Sequence, residues 1–295
     1  MTPTRKCARA TRSRCGFPPR RCRCSTRQAD NASRSSSYRK RDMTKPIDRL
    51  SIQLYSARSI TPLEAQIALL SSLGYTMVEP WGGLFNDPET LKRLLDVHGM
   101  TAPSAHVGLD RLRGDAVNTA RMCKGLGIET IFAPAPPLGE REGGEKEWRG
   151  IGRELADIGK AVADEGLKFG WHNHHWEYGR SGSGKTYLEC LFEEAPDLVW
   201  EADLAWIVRG GGDPVAEIKK HAQRLVACHI KDLAPSGQCV DEDGWADPGH
   251  GIMDWPALRA AMTEARVSLF VAEHDKPNDV ARFARRALET VTAWT

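Results

Sequence analysis

The stretch WHNHHWEY, Trp171 to Tyr178, carries His172 and His174 two residues apart at the end of an apolar run, LKFGW. In a strand, residues two apart share a face, so both imidazoles are expected on one side, where the strand runs out into its loop. Three later segments have the same form. LVWEAD ends in Asp203, LVACHIKD carries His229 and Lys231, and SLFVAEHD carries Glu273. Imidazole and carboxylate donors around one ion suit Mn²⁺, Co²⁺, Fe²⁺ or Zn²⁺, with Mg²⁺ less suited given the nitrogen ligands. Singly, each of these residues is as well explained by hydrogen-bonded packing. As a set at matching strand ends, they point to a metal site.

The elements that must bring them together form a repeat. LSIQLYS reads as a strand and PLEAQIALLSSLG as a helix ending at Gly74; YTMVEPW and DPETLKRLLDVHG follow as the next pair. MTAPSAHVGL, IETIFAPAP and LKFGWHNH are the third to fifth strands, with a long helix from about Trp148 to Gly166 before the fifth. LVWEADLAW, LVACHIKDL and SLFVAEHD are the sixth to eighth, and DVARFARRALETVTAW is the closing helix. Strands alternating with helices mean a parallel sheet. Eight pairs in residues 43–295 match a single (β/α)8 barrel. A doubly wound sheet would want a glycine-rich phosphate turn after the first strand, and ARSITP offers none. A barrel places its site at the C-terminal ends of its strands. His172 to Asp203 is 31 residues, Asp203 to His229 is 26 and His229 to Glu273 is 44, the last spanning one unit plus a long loop. The donors therefore come from four consecutive strands.

Charge is segregated along the 295 residues. Residues 1–42 hold 13 Lys/Arg and two Asp/Glu, leaving 28 and 37 for the remainder, so an acidic body follows a basic leader. The Arg/Ser-rich leader is too poor in apolar residues to fold and is expected to be disordered, with Met43 as the native start. An acidic body argues against sequence-independent nucleic-acid binding. The sequence has no apolar run long enough for a membrane span. Four of the eight cysteines lie in the leader and the rest are scattered, which fits a reduced cytoplasm rather than a disulfide framework. GRSGSGKT, Gly179 to Thr186, satisfies the phosphate-loop pattern, but it follows HNHHWEY instead of an apolar strand and is read as a flexible loop.

The pieces IQLYSAR, GYTMVEPWG, SAHVGL, WHNHHWEY, EADLAWIVRGGGDP, CHIKDLAPSG, DPGHGIMDW and VAEHDKP together resemble the xylose isomerase-like TIM barrel, sugar phosphate isomerase/epimerase superfamily. The resemblance implies a divalent ion, most often Mn²⁺, held at the His172/His174 position and by Asp203, His229 and Glu273. It also implies a small carbohydrate or keto-sugar as substrate and a homodimer or homotetramer. Two departures are visible. Histidines stand where ketose 3-epimerases have a strand-five glutamate, and Trp206 stands three residues after Asp203 where they carry a histidine. Relatives of this type also include inosose dehydratase-like proteins and lyases of 3-keto-glycosides. The expected chemistry is loss of a proton next to a carbonyl to give an enediolate, ending in isomerisation, epimerisation or elimination. Glu273 is the first candidate base, a strand-five histidine such as His172 the second, and Glu177 a further acid/base. Trp81, Glu79, His106, Trp206 and Lys231 are expected to meet substrate, with Lys231 alternatively paired to Asp232. Glu201 is expected to lie deeper, and the loop from Pro235 to Trp255 to act as a lid.

Overall fold

The computed structural model describes residues 45–294. The basic leader and the proposed start at Met43 lie outside the described residues.

Seven parallel strands form the sheet: β1 (Leu50–Ile52), β2 (Ser104–His106), β3 (Thr130–Ala133), β4 (Lys168–His172), β5 (Val199–Asp203), β6 (Leu225–Ile230) and, after a two-stranded hairpin of β7 (Asp232–Leu233) and β8 (Trp245–Ala246), β9 (Leu269–Ala272). Their order is β1-β9-β6-β5-β4-β3-β2, so the first strand lies beside the last. The segment expected as the second strand closes the ring through isolated pairings: Gln53 with Glu79, Met77 with Thr101 and Trp81 with His106. Pro80 accounts for its irregularity, because it has no N–H to give to either neighbour. Its carbonyl still accepts from His106 N at 2.9 Å. The result is the expected (β/α)8 architecture.

Helices return the chain between strands: α1 (Leu63–Leu73), α2 (Pro88–His98), α3 (Leu109–Gly125), α4 (Glu145–Asp164), α5 (Tyr187–Glu194), α6 (Leu204–Arg209), α7 (Pro214–Lys220), α8 (Trp255–Glu264) and α9 (Val280–Thr292). Each is set by local chemistry. Asp87, Thr186, Asp213, Asp254 and Asp279 accept N-terminal backbone N–H groups, and Gly74 and Gly99 end α1 and α2 in the left-handed conformation. Alternation along the strands separates two environments. Trp171 on β4 and Trp200 on β5 face outward into the apolar layer, where Trp171 meets Trp148 of α4 edge-on at 6.3 Å. His172, Glu201, Asp203 and His229 therefore face the barrel axis. Gly170 belongs to that inner face; a Cβ there would stand 2.6 Å from the Phe132 ring.

Two segments differ from expectation. LVWEADLAW leaves the strand at Asp203, whose Oδ1 accepts from Trp206 N at 2.9 Å and caps α6, so Trp206 is helical. The long loop after β6 is strapped down instead of free. The fully buried Asp232 carboxylate accepts from the backbone N–H of Leu233, Gly249, Gly251 and Met253 and from the Trp255 indole, at 2.8 to 3.2 Å. Any side chain at Gly251 would collide with that carboxylate, 2.2 Å from its ideal Cβ. No helix among the described residues is long and apolar enough to cross a membrane.

Candidate metal centre

His172, Asp203, His229 and Glu273 come together at the C-terminal ends of β4, β5, β6 and β9. One donor atom from each lies within 4.8 Å of all the others, and all four residues are buried. His174 is outside this group. β4 ends at His172, and His174 lies in the following loop, its ring 5.1 Å from His172 and stacked on Trp176 at 4.4 Å.

Beneath the donors lies a second layer of carboxylates. Glu201 Oε2 faces three imidazoles: His106 Nε2 at 2.5 Å, His172 Nδ1 at 3.1 Å and His229 Nε2 at 3.1 Å. Glu79 Oε1 lies 3.1 Å from both His106 Nε2 and His229 Nε2, accepts from Gln53 Nε2 at 2.8 Å, and its other oxygen accepts from Ser104. An ionised carboxylate only accepts, so these contacts select tautomers. His172 gives its Nδ1–H to Glu201, leaving Nε2 as its free lone pair. His229 gives Nε2–H downward, leaving Nδ1 toward Glu273 Oε2 at 2.9 Å and Asp203 Oδ2 at 4.0 Å. A carboxylate behind a histidine is the usual support for a metal-ligating imidazole.

The upper layer is also charged. Lys231 is fully buried, with Nζ 3.1 Å from Glu273 Oε2, 3.3 Å from Asp203 Oδ2 and in contact with Asp275. Its partners are these three, not Asp232, which is occupied by the strap. Burial works against a charged Lys231, but Asp203, Asp275 and Glu273 raise its pKa and keep it cationic. Burial also opposes ionisation of Glu273, yet Lys231 and His229 hold it well below the usual carboxylate range. Asp203 is pushed up to about 7, chiefly by burial. Burial, reinforced by His229, depresses His172 to about 3, so it is a neutral donor. Burial disfavours charge on His229 as well, but Glu201 and Glu273 hold its pKa well above the ordinary value.

These features fit a divalent cation. Around a metal with bonds of about 2.1 Å, neighbouring and opposed donors are roughly 3.0–4.2 Å apart, close to the spacing here. Asp203 Oδ2 is buried and meets only the Lys231 ammonium, at 3.3 Å and outside hydrogen-bond geometry. The Nδ1 of His229 lies 2.9 Å from Glu273 Oε2 and 4.0 Å from Asp203 Oδ2, a cluster of negative charge that a cation would balance. The donors are two nitrogens and two carboxylate oxygens.

Other expected site residues fall around this core. Glu79 and His106 sit on the far side of the His229 ring from Glu273. Glu177 is fully buried, its oxygens taken by Trp171 Nε1 at 2.9 Å and His174 N at 3.0 Å, and burial pushes it up to about 7. It fixes the loop that carries His174. Trp81 is half-buried and meets Tyr55 edge-on at 5.2 Å. Trp206 is half-buried between His174 at 5.1 Å and Trp245 at 4.6 Å.

Sequence reasoning missed Asn173 and Asp275. Asn173 Oδ1 accepts from Trp200 Nε1 and Asp203 N, and its amide donates to Asp203 O, tying the end of β5 to β4. Its position between the two histidines was the available signal. Asp275 follows Glu273 by two and reaches the same Lys231. The phosphate-loop pattern is a tight turn: Ser181 N donates to Lys185 O, Lys185 pairs with Glu193 at 2.5 Å, and Thr186 caps α5.

Among known proteins, the rhizopine catabolism protein MocC of Rhizobium meliloti is 26% identical over 251 residues, 74% of this chain and 76% of that protein. An inosose dehydratase of Clostridium beijerinckii is 24% identical over 170 residues, 51% of this chain and 56% of its own length. A sugar phosphate isomerase/epimerase structure from Parabacteroides distasonis superposes with a TM-score of 0.68 at 19% identity, covering 81% of this chain and 96% of that one. The structure of IolI with a bound zinc atom gives 0.64 at 17% identity, covering 83% and 95%. The family model described as xylose isomerase-like TIM barrel matches residues 67–291, and the chain belongs to that family.

Proposed function

We propose that this chain is a divalent-metal-dependent enzyme that removes a proton next to the carbonyl of a small polyhydroxylated ketone, a keto-sugar or cyclic keto-polyol. The observation that carries the reading is the buried ring of His172, Asp203, His229 and Glu273 donors within 4.8 Å at the barrel mouth. An ion bound there supplies Lewis-acid stabilisation of the enediolate; Mn²⁺, Co²⁺, Fe²⁺ and Zn²⁺ all suit the donor set.

The chain's own groups supply the rest. Glu273, kept ionised by Lys231 and His229, is the base nearest the mouth. Lys231 is a fixed cation that can stabilise negative charge on a substrate oxygen or a departing hydroxide. Neutral His174, whose Nδ1 is buried without a partner, is the second proton carrier. Trp81 and Trp206 offer apolar faces for sugar C–H surfaces.

Returning the proton to the neighbouring carbon gives isomerisation, and returning it to the opposite face gives epimerisation. One observation favours elimination as the second reading. Glu273, at the edge of the donor ring, lies against the cationic Lys231, which it shares with Asp203 and Asp275, an arrangement suited to taking a proton and assisting a leaving oxygen. The relatives named inosose dehydratase agree with that branch. The test is deuterium uptake from D₂O into scyllo-inosose and into ketohexoses. Uptake should stop with a chelator and return with Mn²⁺ or Zn²⁺; uptake indifferent to chelation would sink the reading.

A further inference from the structure

We propose that Asp275 is a positioning residue for Lys231: it holds the ammonium at the rim of the donor ring, so that lysine and metal ion occupy the mouth together instead of competing for the same two carboxylates. This rests on the ring of His172, Asp203, His229 and Glu273 being the metal seat, and adds how a fixed cation is kept beside it.

The conflict it resolves is visible in the distances. Lys231 Nζ donates to Glu273 Oε2 at 3.1 Å and lies 3.3 Å from Asp203 Oδ2. Asp203 and Glu273 are two of the four donors that lie within 4.8 Å of one another. An ion bonded to Glu273 Oε2 at about 2.1 Å would stand no more than about 5.2 Å from the ammonium. Two cations that close repel strongly in a buried site. With only ligand carboxylates for partners, Lys231 would hold the seat itself.

Asp275 gives the ammonium a partner of its own. Its carboxylate contacts Lys231 Nζ, and it is outside the donor group. Its side chain is 24% exposed, against 0% for Lys231 and Asp203 and 6% for Glu273, which puts it on the solvent side of the ring. The backbone on either side is fixed. His274 N donates to Ser56 Oγ at 3.0 Å and Lys276 N to His274 Nδ1 at 3.1 Å, while the His274 ring turns away to Phe283 of α9 at 5.7 Å. Glu273 and Asp275 thus reach Lys231 from one side of the chain, as residues two apart do when a strand runs out.

Two indole faces complete the seat of the ammonium. Nζ lies 4.3 Å from the Trp245 centroid and 5.0 Å from that of Trp206, and neither ring is a metal donor. Arg209, the neighbouring cation, lies 3.4 Å over Trp245 and donates to the Asp243 carbonyl at 2.8 Å, so contact with Asp275 falls to Lys231. Asp203 and Glu273 are left for the divalent ion, and Lys231 stays where it meets an oxygen of a substrate bound there.

A simpler role competes, in which Asp275 draws the ion by its own negative charge. A double-mutant cycle separates the two. The full chain, stripped of metal, is titrated with Zn²⁺ against a chromophoric chelator as wild type, K231M, D275N and K231M/D275N. K231M should bind Zn²⁺ tighter by about tenfold or more, since a like charge has left. D275N should bind it weaker by about fivefold or more, because the ammonium falls back on the two ligands, and D275E should restore most of that loss. In the K231M background, D275N should change the affinity by no more than about twofold. A larger loss there belongs to the charge of Asp275 itself and overturns the proposal. So does a K231M that binds no tighter than wild type. Circular dichroism checks each fold, and K231Q takes the place of K231M if the apolar side chain prevents folding. A wild type that takes up no Zn²⁺ overturns this proposal and the metal-dependent reading together, whereas a failed cycle on a chain that binds Zn²⁺ leaves that reading standing.

Discussion

Glu201→Gln is the sharpest test of how the donor ring is held. Glu201 touches no expected substrate, yet its Oε2 lies 2.5–3.1 Å from His106, His172 and His229. Burial would raise its pKa, but His229, His106 and their hydrogen bonds hold it well below the usual range, so it is a carboxylate that only accepts. An amide oxygen of the same shape accepts two hydrogen bonds at most, and the amide NH₂ must then face an imidazole N–H. At least one of the three rings loses its partner or turns. His172 and His229 are the rings that need a fixed tautomer, Nε2 bare on one and Nδ1 bare on the other. Loss of such a support weakens metal binding by about 10- to 100-fold, or about 1.4–2.7 kcal/mol. The assay is competition of apo-protein against a chelator for Zn²⁺ or Mn²⁺, with far-UV circular dichroism to confirm the fold. Co²⁺ absorption spectra should shift between wild type and variant, since ligand geometry sets the bands. A folded variant with metal affinity within twofold of wild type would refute the idea that Glu201 orients the ligands.

His229→Ala should lose stoichiometric metal, whereas Glu273→Gln should keep metal and lose about 10²–10⁴-fold in deuterium exchange; full metal in the first variant, measured by atomic emission, would remove His229 from the ligand set. His221 has its pKa lowered to about 4, first by burial and then by Lys220 and Arg224. The unfolded chain binds that proton first as pH falls below about 6.5, so stability present at pH 7 should fall by at most about 2 kcal/mol by pH 5. Other depressed histidines, His172 and His274, titrate in both proteins, so the pH-dependent loss read from urea midpoints should be smaller in His221→Gln than in wild type by up to that amount. Asp232→Ala leaves four backbone N–H groups and the Trp255 indole without their acceptor. It should cost about 3–5 kcal/mol and expose residues 247–255 to proteolysis; unchanged protease resistance would show that the strap is held by something else.

The parts of this protein legible in its sequence are those written in period and position. Eight alternations of apolar strand and amphipathic helix gave the barrel, and the donors at four strand ends converge because a barrel directs those ends to one mouth. The segment from Met77 to Trp81 was expected as a strand but pairs only at isolated points, since Pro80 has no amide to offer a ladder. Trp206 was expected in a strand because LAW continues an apolar run. Asp203 caps a helix there, a competition that periodicity over nine residues does not resolve. The Pro235–Trp255 loop was expected to move because it is long and glycine-rich. Its anchoring comes from buried carboxylates, Asp232 directly after a lysine that belongs to another network and Asp247 held by Arg282 and Arg286 of the last helix, whose partners lie far along the chain.

The supporting layer was legible only in part: the depth of Glu201 followed from its face on β5, whereas Glu79 and His106 were expected to meet substrate. A ligand can be guessed from its type and its place at a strand end, but a partner such as Glu79 or Glu201 is defined by what lies across the barrel. Glu79 meets His229 across a sequence separation of 150 residues, and His106 meets Glu201 across 95. That layer also explains why histidine can serve where a glutamate would be expected. A carboxylate at position 172 would stand beside Glu201 as a second buried negative charge, at the repulsive cost paired acids incur in a low-dielectric interior. Histidine turns the same contact into a donated hydrogen bond and still presents a lone pair upward. Glu201 and His172 are therefore a coupled pair. His172→Glu alone should disrupt metal binding, and the double change with Glu201→Gln should recover part of it, because the amide can donate to the new carboxylate. If the single and double variants bound metal equally, measured against the same chelator, position 172 would owe nothing to the charge beneath it.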